Sequence, residues 1–162
     1  MSHTLERQYL SFSLSGGRYA LSVDRVREVL ESSKITRLPC QAPYLKGIID
    51  LRGKGVPVID LRQRFGMERS ESTRDSAIVV VEMRADEDTR IVGLLADAVH
   101  EVVELDPSGI DAPPRFGTEG ASDFLRGIAK DGDGFVLVCD ADRLLETDEL
   151  LAIASAASTA SA

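Results

Sequence analysis

Short apolar segments separated by polar turns run along most of the chain, and this pattern is typical of β-strands. In residues 9–14, leucine and phenylalanine alternate with serine, which predicts a strand with one buried face. Residues 15–18 then favour a turn, and residues 19–21 predict the returning strand. The continuous β-branched run at residues 78–81 instead predicts a strand that is buried on both faces.

Further hairpins are predicted where apolar segments flank glycine-rich or charged turns. Their strands are residues 47–51 and 56–59, residues 78–81 and 91–95, and residues 124–128 and 135–138. The helical patterns are short: Ser22 can cap a helix with an apolar face over residues 23–30, and Asp60 can cap a turn that ends at Gly66. A last amphipathic segment covers residues 144–153. The pattern therefore predicts an all-β protein with short helices.

Two segments of the chain recur in the same order, which indicates a duplicated unit. Residues 24–31 are repeated in residues 97–104, and the glycine, valine and aspartate positions of residues 47–60 are repeated without gaps in residues 127–140. Each unit would contain about five short strands and one helical turn, and closing the strands into a small barrel would remove exposed sheet edges. The sequence therefore predicts two related β-barrels in one body, in which the two copies of the second segment share one local shape.

The charge of the chain argues against a general affinity for nucleic acid, and it is unevenly distributed. The 162 residues carry a net charge of −8, whereas neutralisation of phosphates dominates nucleic-acid binding. Residues 1–75 contain 13 lysines and arginines against 9 acidic residues, and residues 76–162 contain 6 against 18. This asymmetry reflects either two surfaces that are solvated differently or a polarised binding surface.

Nothing in the sequence predicts export or insertion into a membrane. No apolar run approaches the roughly 18 residues that a membrane-spanning helix needs. Residues 1–7 lack the apolar core and the cleavage site of a signal peptide. Cys40 and Cys139 lie far apart and, without a secretory context, are interpreted as reduced, buried residues. We therefore expect a cytoplasmic protein.

The motifs of catalysis are mostly absent. There is no phosphate-binding loop, no dinucleotide-binding glycine motif and no nucleophile elbow. His3 and His100 lack metal-ligand spacing, and residues 131–134 resemble the start of a calcium loop whose third ligand position is apolar. Asp140 and Asp142 could form a carboxylate pair, although helix capping explains Asp140 more simply. We expect His100 to be an exposed turn residue, and we expect no catalytic residue, metal site or cofactor.

Two charged residues beside apolar segments are candidates for partner binding. Arg52 lies at the tip of a glycine-flanked turn between two apolar strands, and Glu28 lies in the predicted helical turn beside Val26 and Val29. Each is either a solvated surface residue or a charged group that is presented to a partner. The residue types alone leave both possibilities open.

Several motifs together resemble the CheW family. In the first half they are residues 19–21, 26–29, 36–39, 46–53 and 56–62; in the second half they are residues 78–82, 93–97, 125–128 and 142–145. The combination of Gly-Ile-x-x-Leu-Arg-Gly with Val-Pro-Val-Ile-Asp-Leu-Arg is more specific than any single short motif. The resemblance implies one CheW-like domain over residues 8–151. The Ala/Ser-rich composition of residues 152–162 predicts a flexible tail.

The resemblance implies two intertwined five-stranded SH3-like β-barrels and a non-enzymatic cytoplasmic adaptor. Such an adaptor couples chemoreceptors, the methyl-accepting chemotaxis proteins, to the regulatory domain of a CheA-type histidine kinase at membrane-associated receptor arrays. The positions that match receptor coupling are Val26, Glu28, Gly47, Arg52 and Val102. The positions that match the apolar patch facing the kinase are Val29 and Ile35.

The chain departs from the family pattern in two places, and other functions remain open. Asp50 stands where many members have asparagine, and residues 111–122 match poorly within the irregular, Pro-rich stretch 106–123. The alternatives are an SH3-like module for nucleic acid or peptide, a hydrolase with an unrecognised site, and a CheW-like scaffold of gliding, twitching or developmental signalling. An aromatic content of 5% with a negative charge disfavours nucleic acid, and the missing nucleophile–base pair disfavours the hydrolase.

Overall fold

The computed structural model describes residues 8–31, 35–37, 44–67, 74–85, 88–112, 124–132 and 134–144. The strands in these residues are β1 Gln8–Leu14, β2 Gly17–Ser22, β3 Val26–Glu31, β4 Leu45–Leu51, β5 Lys54–Asp60, β6 Ala77–Ala85, β7 Asp88–Ala96, β8 Ala98–Glu104, β9 Leu125–Asp131 and β10 Gly134–Cys139. The helix α1 is Leu61–Arg64, and 3-10 turns are formed by Val23–Arg25, Pro107–Gly109 and Ala141–Arg143. The predicted all-β class with short helices is confirmed.

The strands form two five-stranded sheets of the same design. One sheet has the order β8-β1-β2-β10-β9 and uses both ends of the described chain, so we call it the terminal barrel. The other has the order β3-β6-β7-β5-β4, and we call it the central barrel. An isolated bridge joins the two edges of each sheet: Thr36 to Ile48 in the central barrel and Asp111 to Ile128 in the terminal barrel. These bridges close each sheet into a barrel.

The two repeats exchange strands between the barrels. The first repeat, β1–β5, contributes β1 and β2 to the terminal barrel and β3, β4 and β5 to the central barrel. The second repeat, β6–β10, does the reverse. Each barrel therefore contains two strands from one repeat and three from the other, so neither repeat closes a barrel from its own strands. This is the intertwined arrangement that the resemblance implied.

The two copies of the repeated hairpin have the same local shape, as predicted. Gly47 and Gly127 each lie against the backbone of the segment that closes the barrel. A Cβ atom would lie 2.2 Å from the carbonyl oxygen of Thr36 at the first position and 2.3 Å from that of Asp111 at the second. Glycine is required at both positions because a side chain would overlap with these carbonyl groups.

The largest hydrophobic cluster lies between the barrels and joins them. It contains buried residues of both, among them Phe12 and Leu21 of the terminal barrel and Ile59 and Val79 of the central barrel. The ring of Phe65, which follows α1, lies between Tyr19 at 5.7 Å and Phe124 at 5.3 Å. Two smaller clusters fill the barrels themselves. A shared core of this kind holds the barrels in one fixed arrangement.

Two predictions about local structure are wrong. The helix expected after Ser22 is only the 3-10 turn Val23–Arg25, and the hydroxyl of Ser22 donates to Asp24 at 2.5 Å instead of capping the backbone. The chain continues as β3, whose residues pair with β6, because the valines that fit a helical spacing also fit a strand next to a partner. The single buried face expected for β1 is also wrong, since Tyr9 and Ser11 on the second face are fully buried inside the terminal barrel.

Other expectations are confirmed or fall outside the described residues. The carboxylate of Asp60 accepts a hydrogen bond from the backbone N–H of Arg62 at 3.1 Å and so caps α1, as predicted. The charged segment between the predicted strands 78–81 and 91–95 belongs largely to the strands, because β6 extends to Ala85 and β7 begins at Asp88. Cys139 is a buried free cysteine. The expectations for His3, Cys40, most of residues 144–153 and the tail 152–162 lie outside the described residues.

Candidate functional site

Strand β3 carries candidate residues for both partners, and it presents them on opposite faces. Side chains alternate along a strand, so Glu28 and Val29 point to opposite sides of the sheet. Val29 is 43% exposed and is one of the few large apolar side chains at the described surface. The side chain of Glu28 instead points towards the turn between β4 and β5, and it is half-buried. Glu28 therefore lies on a strand and not on the predicted helical turn.

Ile35 follows β3 and lies at the edge of the central barrel. Its side chain is half-buried and packs against the core that fills this barrel. The segment that carries it is held by two backbone hydrogen bonds of 2.8 Å between Thr36 and Ile48. Val29 is thus freely accessible, whereas Ile35 offers only part of its surface and also contributes to packing.

Glu28 and Arg52 form an ion pair with each other. Arg52 Nη2 donates to Glu28 Oε2 at 2.9 Å, while the side chain of Arg52 is 76% exposed and that of Glu28 25% exposed. Arg52 adopts a positive φ of 53° in the turn between β4 and β5. The carboxylate of Asp50 stabilises this turn by accepting a hydrogen bond from the N–H of Gly53 at 2.8 Å. The acid at position 50 therefore fits the turn and does not disrupt it.

The second carboxylate oxygen of Glu28 has an unusual environment. Oε1 is the one buried side-chain oxygen or nitrogen without a hydrogen-bond partner among the described residues. A buried acceptor that lacks a donor costs about 1–3 kcal/mol. Such an atom is a place where a bound molecule can supply the missing donor.

The remaining receptor-matched positions are divided between the barrels. Val26 begins β3 and is half-buried against the cluster between the barrels. Gly47 in β4 is buried beneath residues 35–37, so its importance is steric and it offers no side chain to a partner. Val102 lies on β8 of the terminal barrel and is 49% exposed. The structure therefore brings Glu28 and Arg52 together and places Val102 on the other barrel.

A cavity of about 400 Å³ opens beside the Glu28–Arg52 pair. We call this opening the central-barrel mouth. Its floor consists of the apolar residues Leu51, Val56, Val80 and Ile91, and its rim of Arg27, Glu28, Arg52 and Lys54. No motif in the sequence predicts this cavity, because its lining comes from strands that are far apart along the chain.

Two bidentate ion pairs connect the ends of the strands near the junction of the barrels. Arg25 donates to both carboxylate oxygens of Asp142 at 3.0 and 2.6 Å, and Arg62 donates to those of Asp97 at 2.7 and 2.6 Å. The hydrogen bond from Arg62 lowers the pKa of Asp97 and raises that of Arg62. Sequence reasoning missed both pairs because the partners are far apart along the chain.

The other candidate groups for chemistry have structural roles. Asp140 accepts a hydrogen bond from the N–H of Asp142 at 3.0 Å, so it is a cap, as expected. His100 is exposed, but it lies on β8 rather than on a turn, and its Nε2 is 2.5 Å from the hydroxyl of Ser13. Burial raises the pKa of the Cys139 thiol, which keeps it protonated and unreactive.

The described residues provide neither a metal site nor a membrane-spanning helix. No group of three or more histidine, cysteine or acidic residues among them could hold a metal ion. None of the described helices is long and apolar enough to cross a membrane.

Comparisons with known proteins agree with this fold. The family model of the CheW-like domain matches residues 8–149. The chemotaxis protein CheW of Bacillus subtilis is 31% identical over 137 residues, which cover 85% of both chains. CheW of Klebsiella aerogenes is 27% identical over 147 residues, covering 91% of this chain and 86% of the other. The crystal structure of the scaffolding protein TtCheW from Thermoanaerobacter tengcongensis is 37% identical and has a TM-score of 0.79, covering 90% of this chain and 92% of that one. The chain therefore belongs to the CheW family of chemotaxis scaffolds.

Proposed function

We propose that this protein is a non-enzymatic adaptor that couples chemoreceptors to a CheA-type histidine kinase. Members of the CheW family in general couple to chemoreceptors and to CheA, and they are scaffolds rather than enzymes. The observation that carries the proposal for this chain is the orientation of two side chains on β3: Val29 and Glu28 point to opposite faces of the strand. Two partners can therefore bind next to each other without competing for the same side chains.

The proposed kinase-binding face consists of Val29 and Ile35. An exposed valine and a partly exposed isoleucine can supply the apolar atoms that form the centre of a protein interface. The strand and the bridged segment that carry them are held by backbone hydrogen bonds, so the face is formed before the partner arrives. Little conformational entropy would be lost on binding.

The proposed receptor-binding face is centred on Glu28 and Arg52, with Val26, Gly47 and Val102 as further positions. The ion pair between Glu28 and Arg52 is exposed on the arginine side, so the guanidinium keeps donors free to bind a receptor. Gly47 contributes by allowing the close approach of residues 35–37, and Val102 adds exposed apolar surface on the terminal barrel. A receptor that contacts all of these residues would span both barrels.

The proposal includes a location and a functional unit. We propose that residues 8–151 act as one unit in the cytoplasm and are recruited to membrane-associated receptor arrays. An array that controls flagella and an array that controls gliding, twitching or development would use the same two faces. Both kinds of array require one receptor contact and one kinase contact.

Co-purification is the direct test of this proposal. The tagged protein is captured from the native cytoplasm, and the bound proteins are identified by mass spectrometry. We expect a chemoreceptor and a CheA-type kinase in the wild-type sample, loss of the kinase with Val29→Glu, and loss of the receptor with Arg52→Glu. Recovery of neither partner with the wild-type protein would refute the proposal.

A further inference from the structure

The two repeats carry unequal charge, and the fold places them in contact. Residues 1–75 contain 13 lysines and arginines against 9 acidic residues, and residues 76–162 contain 6 against 18. Because each barrel contains strands of both repeats, the two charges are not separated at opposite ends of the molecule. The excess of cations in one repeat and the excess of acids in the other instead meet where the repeats touch.

Five ion pairs between described residues join the two repeats, and all five have the same polarity. In each of them an arginine of the first repeat binds a carboxylate of the second. The side chains of Arg25 and Arg62 are only 18% exposed, so solvent screens their pairs less than it screens pairs at the open surface. The five pairs are Arg18 with Glu101 and with Asp131, Arg25 with Asp142, Arg27 with Glu82, and Arg62 with Asp97.

Arg62 and Asp142 occupy equivalent positions in the two repeats, although their charges are opposite. The backbone N–H of Arg62 donates to the carboxylate of Asp60 at 3.1 Å, and the N–H of Asp142 donates to that of Asp140 at 3.0 Å. The sequence repeat, which aligns residues 47–60 with residues 127–140, continues to these two residues without a gap. One position of the fold therefore carries a cation in the first repeat and an anion in the second.

The partners of these two residues also lie in matching places. Arg25 comes directly before β3, and Asp97 comes directly before β8. The carboxylate in each pair also accepts a hydrogen bond of 2.8 Å from the end of a strand hairpin: Asp97 from the N–H of Ser15, and Asp142 from the N–H of Arg84. The two corners thus have the same construction, with arginine and aspartate exchanged between them.

This exchange matters because the two repeats share one fold. Like repeats of two different chains could in principle build the same pair of barrels. Two first repeats would then place Arg25 beside Arg62, and Asp24, the sequence equivalent of Asp97, would offset only part of that charge. Two second repeats would place Asp97 beside Asp142. Like charges that face each other across an interface disfavour the wrong partner.

We propose that the polarity of these ion pairs selects the pairing of unlike repeats and prevents like repeats of two chains from exchanging strands. The hydrophobic cluster between the barrels supplies attraction, but burial of apolar surface is non-directional. The ion pairs add the discrimination, because only a first repeat with a second repeat satisfies both corners. This inference goes beyond the adaptor function and does not depend on its partners.

A single cut between the repeats makes their pairing measurable. A protease site is placed between Met67 and Arg74, the folded protein is cut there, and the cut protein is unfolded in guanidinium chloride and refolded. Cutting is needed because the intact chain holds its two repeats at a high effective concentration. Complexes are fixed by chemical cross-linking, and their masses distinguish unlike from like pairs. Random pairing gives equal total amounts of both, whereas we expect unlike complexes to exceed like ones at least about tenfold.

Two variants with the amino-acid composition of the wild type test the role of polarity. The exchange variant Arg62→Asp/Asp142→Arg places like charges at both corners of the unlike pair and opposite charges in the like pairs. We expect its fraction of like complexes to rise at least about fivefold over the wild type. The reversed variant Arg25→Asp/Asp142→Arg/Arg62→Asp/Asp97→Arg inverts both pairs, so unlike repeats remain complementary. We expect it to form unlike complexes as the wild type does.

Two results with the variants would overturn the inference. If the exchange variant keeps the wild-type ratio of complexes, packing and not charge selects the pairing. If the reversed variant forms as many like complexes as the exchange variant, the effect comes from the substitutions themselves and not from their polarity.

The wild-type protein decides the matter if either variant does not refold. Refolding of the cut wild type is repeated at about 0.05 M and about 1 M NaCl, where the screening length falls from roughly 14 Å to roughly 3 Å. We expect the fraction of like complexes to rise at least about threefold at high salt. An equal ratio at both salt concentrations would overturn the inference and would leave the proposed adaptor function untouched.

Discussion

The substitution Gly47→Ala links the packing of the central barrel to its proposed kinase-binding face. A methyl group at this position would lie 2.2 Å from the carbonyl oxygen of Thr36 and 2.7 Å from Cγ2 of Ile35. Both distances are far below van der Waals contact, and the nearest atom belongs to the backbone. Residues 35–37 must therefore move away from β4, and Ile35 must move with them.

The expected loss of stability can be worked out from these contacts. Overpacking of a well-packed site costs about 1–3 kcal/mol. The displaced segment also weakens the two backbone hydrogen bonds between Thr36 and Ile48, each of which contributes about 0.5–1.5 kcal/mol. We expect the free energy of unfolding to fall by roughly 2–6 kcal/mol in total, which lowers the Tm of a domain of this size by about 5–25 °C.

The repeat provides a matched control for this variant. A methyl group at Gly127 would lie 2.3 Å from the carbonyl oxygen of Asp111 and 2.5 Å from Cγ2 of Ile110, so Gly127→Ala makes the same change in the terminal barrel. Thermal denaturation followed by circular dichroism measures both Tm values, and calorimetry below both transitions measures affinity for the kinase regulatory domain. We expect similar losses of Tm, but weaker kinase binding only with Gly47→Ala.

Two results would contradict this reasoning. An unchanged Tm for Gly47→Ala would mean that residues 35–37 do not press on β4 as the structure shows. Equal weakening of kinase binding by Gly47→Ala and Gly127→Ala would mean that the effect is a general loss of stability and does not act through Ile35.

Three further predictions concern the surface charges and the apolar face. Val29→Glu should weaken kinase binding at least tenfold and leave the Tm within about 2 °C, because Val29 is 43% exposed; a large fall in Tm would make it a core residue. Arg52→Glu should keep the protein folded, since an exposed pair contributes about 0–1 kcal/mol, yet lower receptor affinity by the roughly 2–5 kcal/mol of an unmatched interface charge. Titration against receptor fragment and kinase domain should show loss of the first alone, and loss of both would indicate misfolding. The pKa of Asp97 is lowered in the folded state, so its pair with Arg62 stabilises the protein above the pKa of the unfolded chain, and this contribution is lost as the pH falls through the folded pKa. Arg62→Ala should therefore flatten the fall of Tm in acid, and an unchanged acid dependence would argue against this assignment.

The strands and their pairing within hairpins could be predicted from the sequence because those contacts are local. The hairpin of β9 and β10 follows from two apolar segments around a glycine-rich turn, and the cap at Asp60 follows from one side chain and the next turn of backbone. The helix predicted after Ser22 failed for the opposite reason. Val23, Val26 and Val29 fit a helical spacing, and only the pairing of β3 with β6, more than 40 residues later, makes them a strand.

The candidate site shows the same division between local and distant contacts. Glu28 and Arg52 could be singled out as charged residues beside apolar segments, but whether they bind each other or remain separate depends on how two distant strands approach. The structure shows that they pair at 2.9 Å and that one oxygen of Glu28 stays without a donor. Neither fact has a signal in the local sequence, because both depend on the closure of the barrel.

By itself the sequence determined the all-β class, the hairpins, the duplicated unit and the glycines that the duplication shares, since these follow from hydrophobic period, turn residues and repetition. Only the tertiary structure decided that the repeats exchange strands between the barrels, that β1 is buried on both faces, and that Glu28 pairs with Arg52 beside a cavity. The physical reason is that hydrophobic period reports which side of a segment avoids water. The identity of the group that covers this side is set by contacts between residues far apart in the chain, and those contacts exist only in the folded state.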